Sequence, residues 1–120
     1  MSRTSKMFLS VLGLLLLAAS LASAQGAAVT RGEKLFETYC AACHSIGAGV
    51  VVGPDLKGVT GRRSQSWLKS FIRDPSRMLK EKDPTTVELV AKFNDYVMPT
   101  LGLSERNITD IISYVRSKTP

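Results

Sequence analysis

Of the 120 residues, one is histidine, one is tryptophan and two are cysteine. A single histidine excludes any site built on a pair of imidazoles. Two cysteines and one histidine are also too few for a closed structural zinc site, which takes four ligands. Aromatic residues make up only 7%, so side chains alone would form a thin core. Strict apolar–polar alternation is missing, which speaks against a sheet, and internal repeats and low-complexity tracts are missing too. After the N-terminal segment, Arg62-Arg63 is the one adjacent basic pair, too little for a nucleic-acid-binding face.

Long apolar runs occur only at the N-terminus. Met1 to Met7 holds Arg3 and Lys6 and no acid, Phe8 to Leu21 is almost wholly apolar, and Ala22-Ser23-Ala24 follows. A basic start, a short apolar stretch and an A-x-A site read as a secretory signal over residues 1–24, cleaved after Ala24. The rival reading is an uncleaved anchor, but a spanning helix needs roughly 20 apolar residues, and this stretch falls short. No cysteine stands at the cleavage site, so a lipoprotein anchor is excluded. The remaining residues, 25–120, make one small domain in the periplasm or a comparable exported space, not embedded in a membrane after cleavage. Sixteen Lys and Arg less Arg3 and Lys6 leaves fourteen against ten acids, a net charge of +4. Such a surface suits transient docking to acidic partners, or simply keeps the chain soluble.

The domain reads as short helices between Gly- and Pro-rich loops. Thr30-Arg31-Gly32-Glu33 has the spacing of a capping box, followed by Leu35, Phe36 and Tyr39 on one face ending at the cysteines. Residues 45–63 read as loop, punctuated by glycines. A second helix is expected from Ser64 or Ser66 to Arg73, carrying Trp67, Leu68, Phe71 and Ile72 and closed by Pro75. A third starts at Asp83 as N-cap with Pro84 at N1 and carries Val87, Leu89, Val90 and Phe93. The last has Ser104 as N-cap, Leu103 and Ile108 as a staple, and Ile108, Ile111, Ile112 and Val115 at helical spacing, with Lys118 and Pro120 at its end.

Cys40-Ala41-Ala42-Cys43-His44 carries the chemistry. Two thiols two residues apart on a helical turn reach the two vinyl groups on neighbouring edges of one porphyrin and form thioethers. The adjacent His44 then offers its imidazole to the iron from the same side, which is the haem-attachment signature. A dithiol redox site would want a preceding strand, and a structural disulfide gives no reason for His44. The reading is therefore one haem c per chain, covalently attached. With no second histidine, the sixth ligand comes from Met98, Met78 or a lysine. Pro99 holds Met98 extended, which favours Met98; Met78 fits ordinary helix packing. Gly53-Pro54-Asp55-Leu56 is a turn signal, and the Pro54 carbonyl is an acceptor for the second imidazole nitrogen of His44.

Taken in order, Gly32-x-x-x-Phe36, Cys40-Ala41-Ala42-Cys43-His44, Gly53-Pro54-x-Leu56, Met98-Pro99 and Tyr114 resemble a small class I cytochrome c over the whole of residues 25–120. The resemblance implies an all-α, cytochrome c-like fold, with terminal helices crossing near right angles and short helices and loops wrapped around one covalently bound haem. Gly32 would permit close approach, with Phe36 and Tyr114 packed at the crossing. Pro54 would accept from His44, and Leu56, Leu68, Phe71 and Ile72 would line the haem pocket. The segment from Pro75 to Met98 is longer than in compact mitochondrial-type members, which keeps Met78 as the alternative ligand. Trp67 packs, or donates to a propionate; Lys57, Arg62 and Arg63 touch propionates, dock partners or are solvated. The implied role is a one-electron carrier, not an enzyme and without a small-molecule substrate. It would work as a monomer with His/Met ligation, between an electron donor and an acceptor of a respiratory chain. A haem subunit of a larger oxidoreductase complex and a gas-binding sensor are the alternatives. Peroxidase chemistry is disfavoured because no second histidine is present as a distal acid–base group.

Overall fold

A computed structural model describes residues 3–119, and no strand occurs among them. Six helices follow one another: α1 (Arg3–Tyr39), α2 (Val59–Arg62), α3 (Gln65–Arg73), α4 (Pro75–Lys80), α5 (Pro84–Lys92) and α6 (Glu105–Ser117). The all-α expectation holds. Pro120 lies outside the described residues.

The first helix differs from its expected start. Thr30 does not cap it; the residue lies inside α1, and its hydroxyl donates to the Gly26 carbonyl at 3.1 Å. The physical reason lies in the preceding residues: Ala27 and Ala28 are strong helix formers, no proline stands between Ala24 and Thr30, and Gly26 costs only about 1 kcal/mol. The apolar N-terminal stretch and the helix that carries Phe36 therefore run on as one. Residues 7–27 are exposed along their whole length. By length and composition the helix from Met7 to Tyr39 could cross a membrane, a test that a secretory signal also passes.

Within the domain, α1 and α6 cross in contact. The buried stripe of α1 is Gly32, Phe36 and Cys40 at four-residue intervals; Tyr39, expected on that face, points outward and is 45% exposed. At the crossing a Cβ on Gly32 would run into the Asp110 carbonyl and lie 2.9 Å from the Tyr114 Cβ. Phe36 and Tyr114 pack beside it with ring centroids 5.5 Å apart. Arg31 grips Asp110 with two bonds, Nε to Oδ2 at 2.8 Å and Nη2 to Oδ1 at 3.2 Å. Asp110 is 4% exposed, so its charge needs that partner. The Asp110 hydrogen bond pushes the Arg31 guanidinium above its ordinary value.

The other helices begin where their caps predict. The Ser64, Asp83 and Ser104 side chains accept from the backbone N–H of Trp67, Thr86 and Asn107, each three residues on. Leu103 packs against the cluster of Leu68, Ile108 and Ile112. Two elements were not foreseen. The expected loop holds the single turn α2, and Pro75 both ends α3 and opens α4, with Asp74 accepting from Arg77 N–H. Lys69 and Arg73 both pair with Glu105, tying α3 to the start of α6.

The loop after the cysteines is pinned by one carboxylate. Asp55 accepts from the backbone N–H of Gly47 at 2.7 Å, Gly49 at 2.7 Å and Lys57 at 2.8 Å. Gly47 and Gly49 sit at φ 93° and 94°, where a side chain would be strained. The Gly47 bond, then those of Lys57 and Gly49, hold the Asp55 carboxyl below its ordinary 3.8.

Two outcomes are expected. Gly32→Ala gains about 1 kcal/mol of helix propensity but drives a methyl into the α6 backbone, which cannot swing aside as a side chain could. Overpacking typically costs ~1–3 kcal/mol, so the net change is a loss, read as a lower denaturant midpoint of the holoprotein. For Asp55, a depressed folded pKa means stabilisation that is present above the unfolded value and lost as pH falls through the folded one. The Gly47 and Gly49 amide resonances should therefore shift together in acid, with a midpoint below 3.8.

Candidate functional site

The end of α1 builds one side of the site. Cys40 and Ala41 N–H both donate to the Phe36 carbonyl, and Cys43 and His44 N–H both donate to the Cys40 carbonyl at 3.0 and 2.9 Å. The chain thus makes one further turn past Tyr39, and that turn carries both thiols and the imidazole. The loop then folds back: Val52 and Gly53 N–H donate to the Cys43 carbonyl, and Leu56 N–H donates to Ser45. This return brings the Pro54 carbonyl 2.9 Å from His44 Nδ1. A carbonyl only accepts, so Nδ1 carries the proton and Nε2 keeps its lone pair for a metal.

Gly53 is required for the same reason. A Cβ there would sit 2.5 Å from His44 Cε1 and 3.0 Å from Nδ1. Backbone and imidazole face each other with no room for a side chain. The sequence signal for this was Gly-Pro, read as a turn; its contact with the ring depends on how the loop returns.

A single cavity gathers Cys40, Cys43, His44, Pro54, Leu56, Leu68, Phe71 and Met98 along its wall. Ile72 also lines it, as do Trp67, Arg62 and Arg63; Lys57 does not. Met78 is absent from the wall and is a core residue, 6% exposed. Several lining residues had no assignment from sequence. Leu89, Val90 and Phe93 enter from α5 and the turn after it, and Ile111, Ile112 and Val115 enter from α6. Their helical spacing announced buried faces without naming what they bury.

Charge in the site is sparse. The Trp67 indole N–H donates to Asp83 Oδ1 at 3.2 Å, its ring stacks on Phe71 at 5.0 Å, and the Arg63 guanidinium lies 5.6 Å above it. Arg62 Nη1 is engaged with the Lys57 carbonyl at 2.7 Å. Burial, then the neighbouring Cys43, pushes the Cys40 thiol up to about 11, so it stays protonated at neutral pH.

The donor set fits a haem. Two reduced thiols and one oriented imidazole sit on a single turn, and a thioether lines the same apolar cavity. Among the described residues no group of three or more His, Cys, Asp or Glu side chains is arranged to hold a metal, so a bare ion has no cage of side chains. A porphyrin brings four nitrogens of its own, leaving only two axial positions for the protein.

Known proteins agree with this geometry. The family model described as cytochrome c matches residues 29–119. A cytochrome c2 of Blastochloris viridis is 32% identical, with 88% of this chain and 90% of that protein covered. The structure of a cytochrome c from Rhodothermus marinus superposes with a TM-score of 0.72 at 32% identity, covering 78% of each chain. A cytochrome c domain from Pseudomonas putida gives a TM-score of 0.64 at 36% identity, covering 72% of this chain and 85% of that one. With its turn of two thiols and one carbonyl-bound imidazole facing an apolar cavity, the chain belongs to the cytochrome c family, as a small class I electron carrier of the kind that holds a c-type haem.

Proposed function

We propose that this chain is an exported monohaem cytochrome c that carries single electrons between partners of a respiratory chain, with Cys40 and Cys43 bonded to the haem and His44 and Met98 as the axial ligands. The observation that carries the reading is the one cavity that both His44 and Met98 line, together with the bond from His44 Nδ1 to Pro54. A bound haem would supply an iron that alternates between ferric and ferrous states.

The protein's share of the work is placement and exclusion. Pro54 holds one tautomer of His44 and raises its donor strength. Cys40 and Cys43 would hold the haem through thioethers, each S–H adding across a vinyl double bond with no leaving group. Pro99 restricts Met98 to an extended backbone, and a thioether raises the reduction potential relative to a second nitrogen. Leu56, Leu68 and Phe71 keep water from the site. Met78 is taken as packing.

Residues 1–24 are read as a signal that is removed, leaving residues 25–120 in the periplasm as a monomer of net charge +4 before the propionates are counted. That charge suits brief docking on the acidic faces of a donor and an acceptor.

Two measurements test this. Oxidised wild-type holoprotein should show the weak far-red sulfur-to-iron band, lost in Met98→Ala and kept in Met78→Ala. A wild type that lacks the band and binds carbon monoxide readily would replace this reading with an open sixth site. Separately, the bimolecular rate with an acidic redox partner should fall as salt shortens the Debye length from about 30 Å at 0.01 M to about 10 Å at 0.1 M. A rate indifferent to salt would remove basic docking from the proposal.

A further inference from the structure

The segment that delivers Met98 has few directional ties to the rest of the domain. It runs from α5 through Asn94 and Asp95, both left-handed at φ 56° and 59°, and its own turn is closed by Asp95 N–H to the Val90 carbonyl and Tyr96 N–H to Phe93. Among the described residues, no backbone hydrogen bond and no ion pair joins residues 84–99 to α1, α3 or α6. Apolar side chains hold it against the cavity, and apolar contact by itself fixes a register poorly because it is non-directional.

The exception lies at the foot of α5. Asp83, its N-cap, accepts from the Trp67 indole of α3 at 3.2 Å. The same oxygen, Oδ1, accepts Thr86 N–H and Thr86 Oγ1–H, each at 2.8 Å. Thr86 is wholly buried, so those two bonds hold the first turn of α5 rigidly to the carboxylate. Three donors on one oxygen are best served by a carboxylate, since a charged acceptor makes the stronger bonds, and Arg63 stands over the Trp67 ring. On the other side, Trp67 is itself part of the cavity wall, stacked on Phe71.

We propose that the Trp67–Asp83 hydrogen bond latches α5 to α3 and thereby governs how firmly Met98 is held at its site, with Trp67 and Asp83 as positioning residues. The inference rests on Met98 being the sixth ligand. Without the latch, the run from α5 to Met98 keeps its internal turns and the bond from Asp83 N–H to the Met78 carbonyl of α4 at 3.0 Å, but loses its one directional tie to α3 and the cavity wall, so the methionine yields more easily to a competing ligand.

The test is displacement of Met98 by imidazole in the oxidised holoprotein, followed by loss of the far-red band. Trp67→Phe keeps the stack on Phe71 and removes only the donor. Asp83→Ser keeps an N-cap but not the reach to the indole. Each should raise the apparent affinity for imidazole about tenfold, the scale of a hydrogen bond to a charged group. The double variant should gain little beyond either single one, because both remove the same interaction. Asp83→Asn, which retains an acceptor oxygen, should recover part of the loss. If the variants lower only the denaturant midpoint and leave imidazole affinity at the wild-type value, the residues are structural and the latch is overturned. A wild type without the band, or one whose band survives Met98→Ala, overturns the ligand assignment and with it the latch. That failure is told apart because it is seen before Trp67 or Asp83 is touched.

Discussion

The close approach of α1 and α6 at Gly32 is the constraint on which the rest depends. The turn that follows α1 carries Cys40, Cys43 and His44, while α6 supplies Ile111, Ile112 and Val115 to the wall of the same cavity. Where the two helices meet sets the distance between the attachment turn and the apolar wall. A glycine that lets a carbonyl of α6 sit against the α1 backbone brings them closer than any side chain would. The Arg31–Asp110 pair adds direction to that contact, and the Phe36–Tyr114 rings fill the space beside it. A shift at this crossing would move the wall relative to the thiols and spoil the cavity without altering any residue that lines it.

Around that frame, polar groups are used mainly to position backbone. Asp55 gathers three amides of the loop that returns Pro54 to His44. Asp83 gathers two groups of Thr86 and one indole. Both carboxyls lie below their ordinary value; for Asp55 the backbone hydrogen bonds are the main cause, and for Asp83 the Thr86 and Trp67 bonds prevail over desolvation, the largest opposing influence. Each carboxylate serves a different side of the cavity, the first the imidazole side and the second the helix that leads to Met98. The apolar residues between them supply the enclosure, and the two acids supply its register.

Local chemistry was legible in the sequence, and long-range geometry was not. The spacing of Cys40, Cys43 and His44 speaks for itself because one helical turn contains it. Ser64, Asp83 and Ser104 were legible as caps because a cap acts over three residues. Thr30 misled for the complementary reason: a capping box is only permission to start a helix, and α1 had already started upstream. Tyr39 was assigned inward because Leu35 and Phe36 leave the phase of the stripe uncertain; Gly32, Phe36 and Cys40 give it only once the α6 contact is known. Gly53 against the imidazole, and Trp67 against Asp83 sixteen positions away, arise from how the chain returns on itself, and no local pattern encodes them. The residues of α5 and α6 in the cavity wall announced that they would be buried and left open by what.

The crossing at Gly32 also has a consequence in time. Its two halves lie far apart along the chain, with 79 positions separating Arg31 from Asp110, so closing it is among the most entropically costly steps of folding. A chain delivered N-terminus first presents the turn with its two thiols long before α6 exists to cover it. For the cofactor proposed here, that leaves an interval in which the attachment turn is open to an incoming macrocycle and to whatever machinery presents it. The arrival of α6 then ends the interval, so attachment of that cofactor would come before the turn is covered.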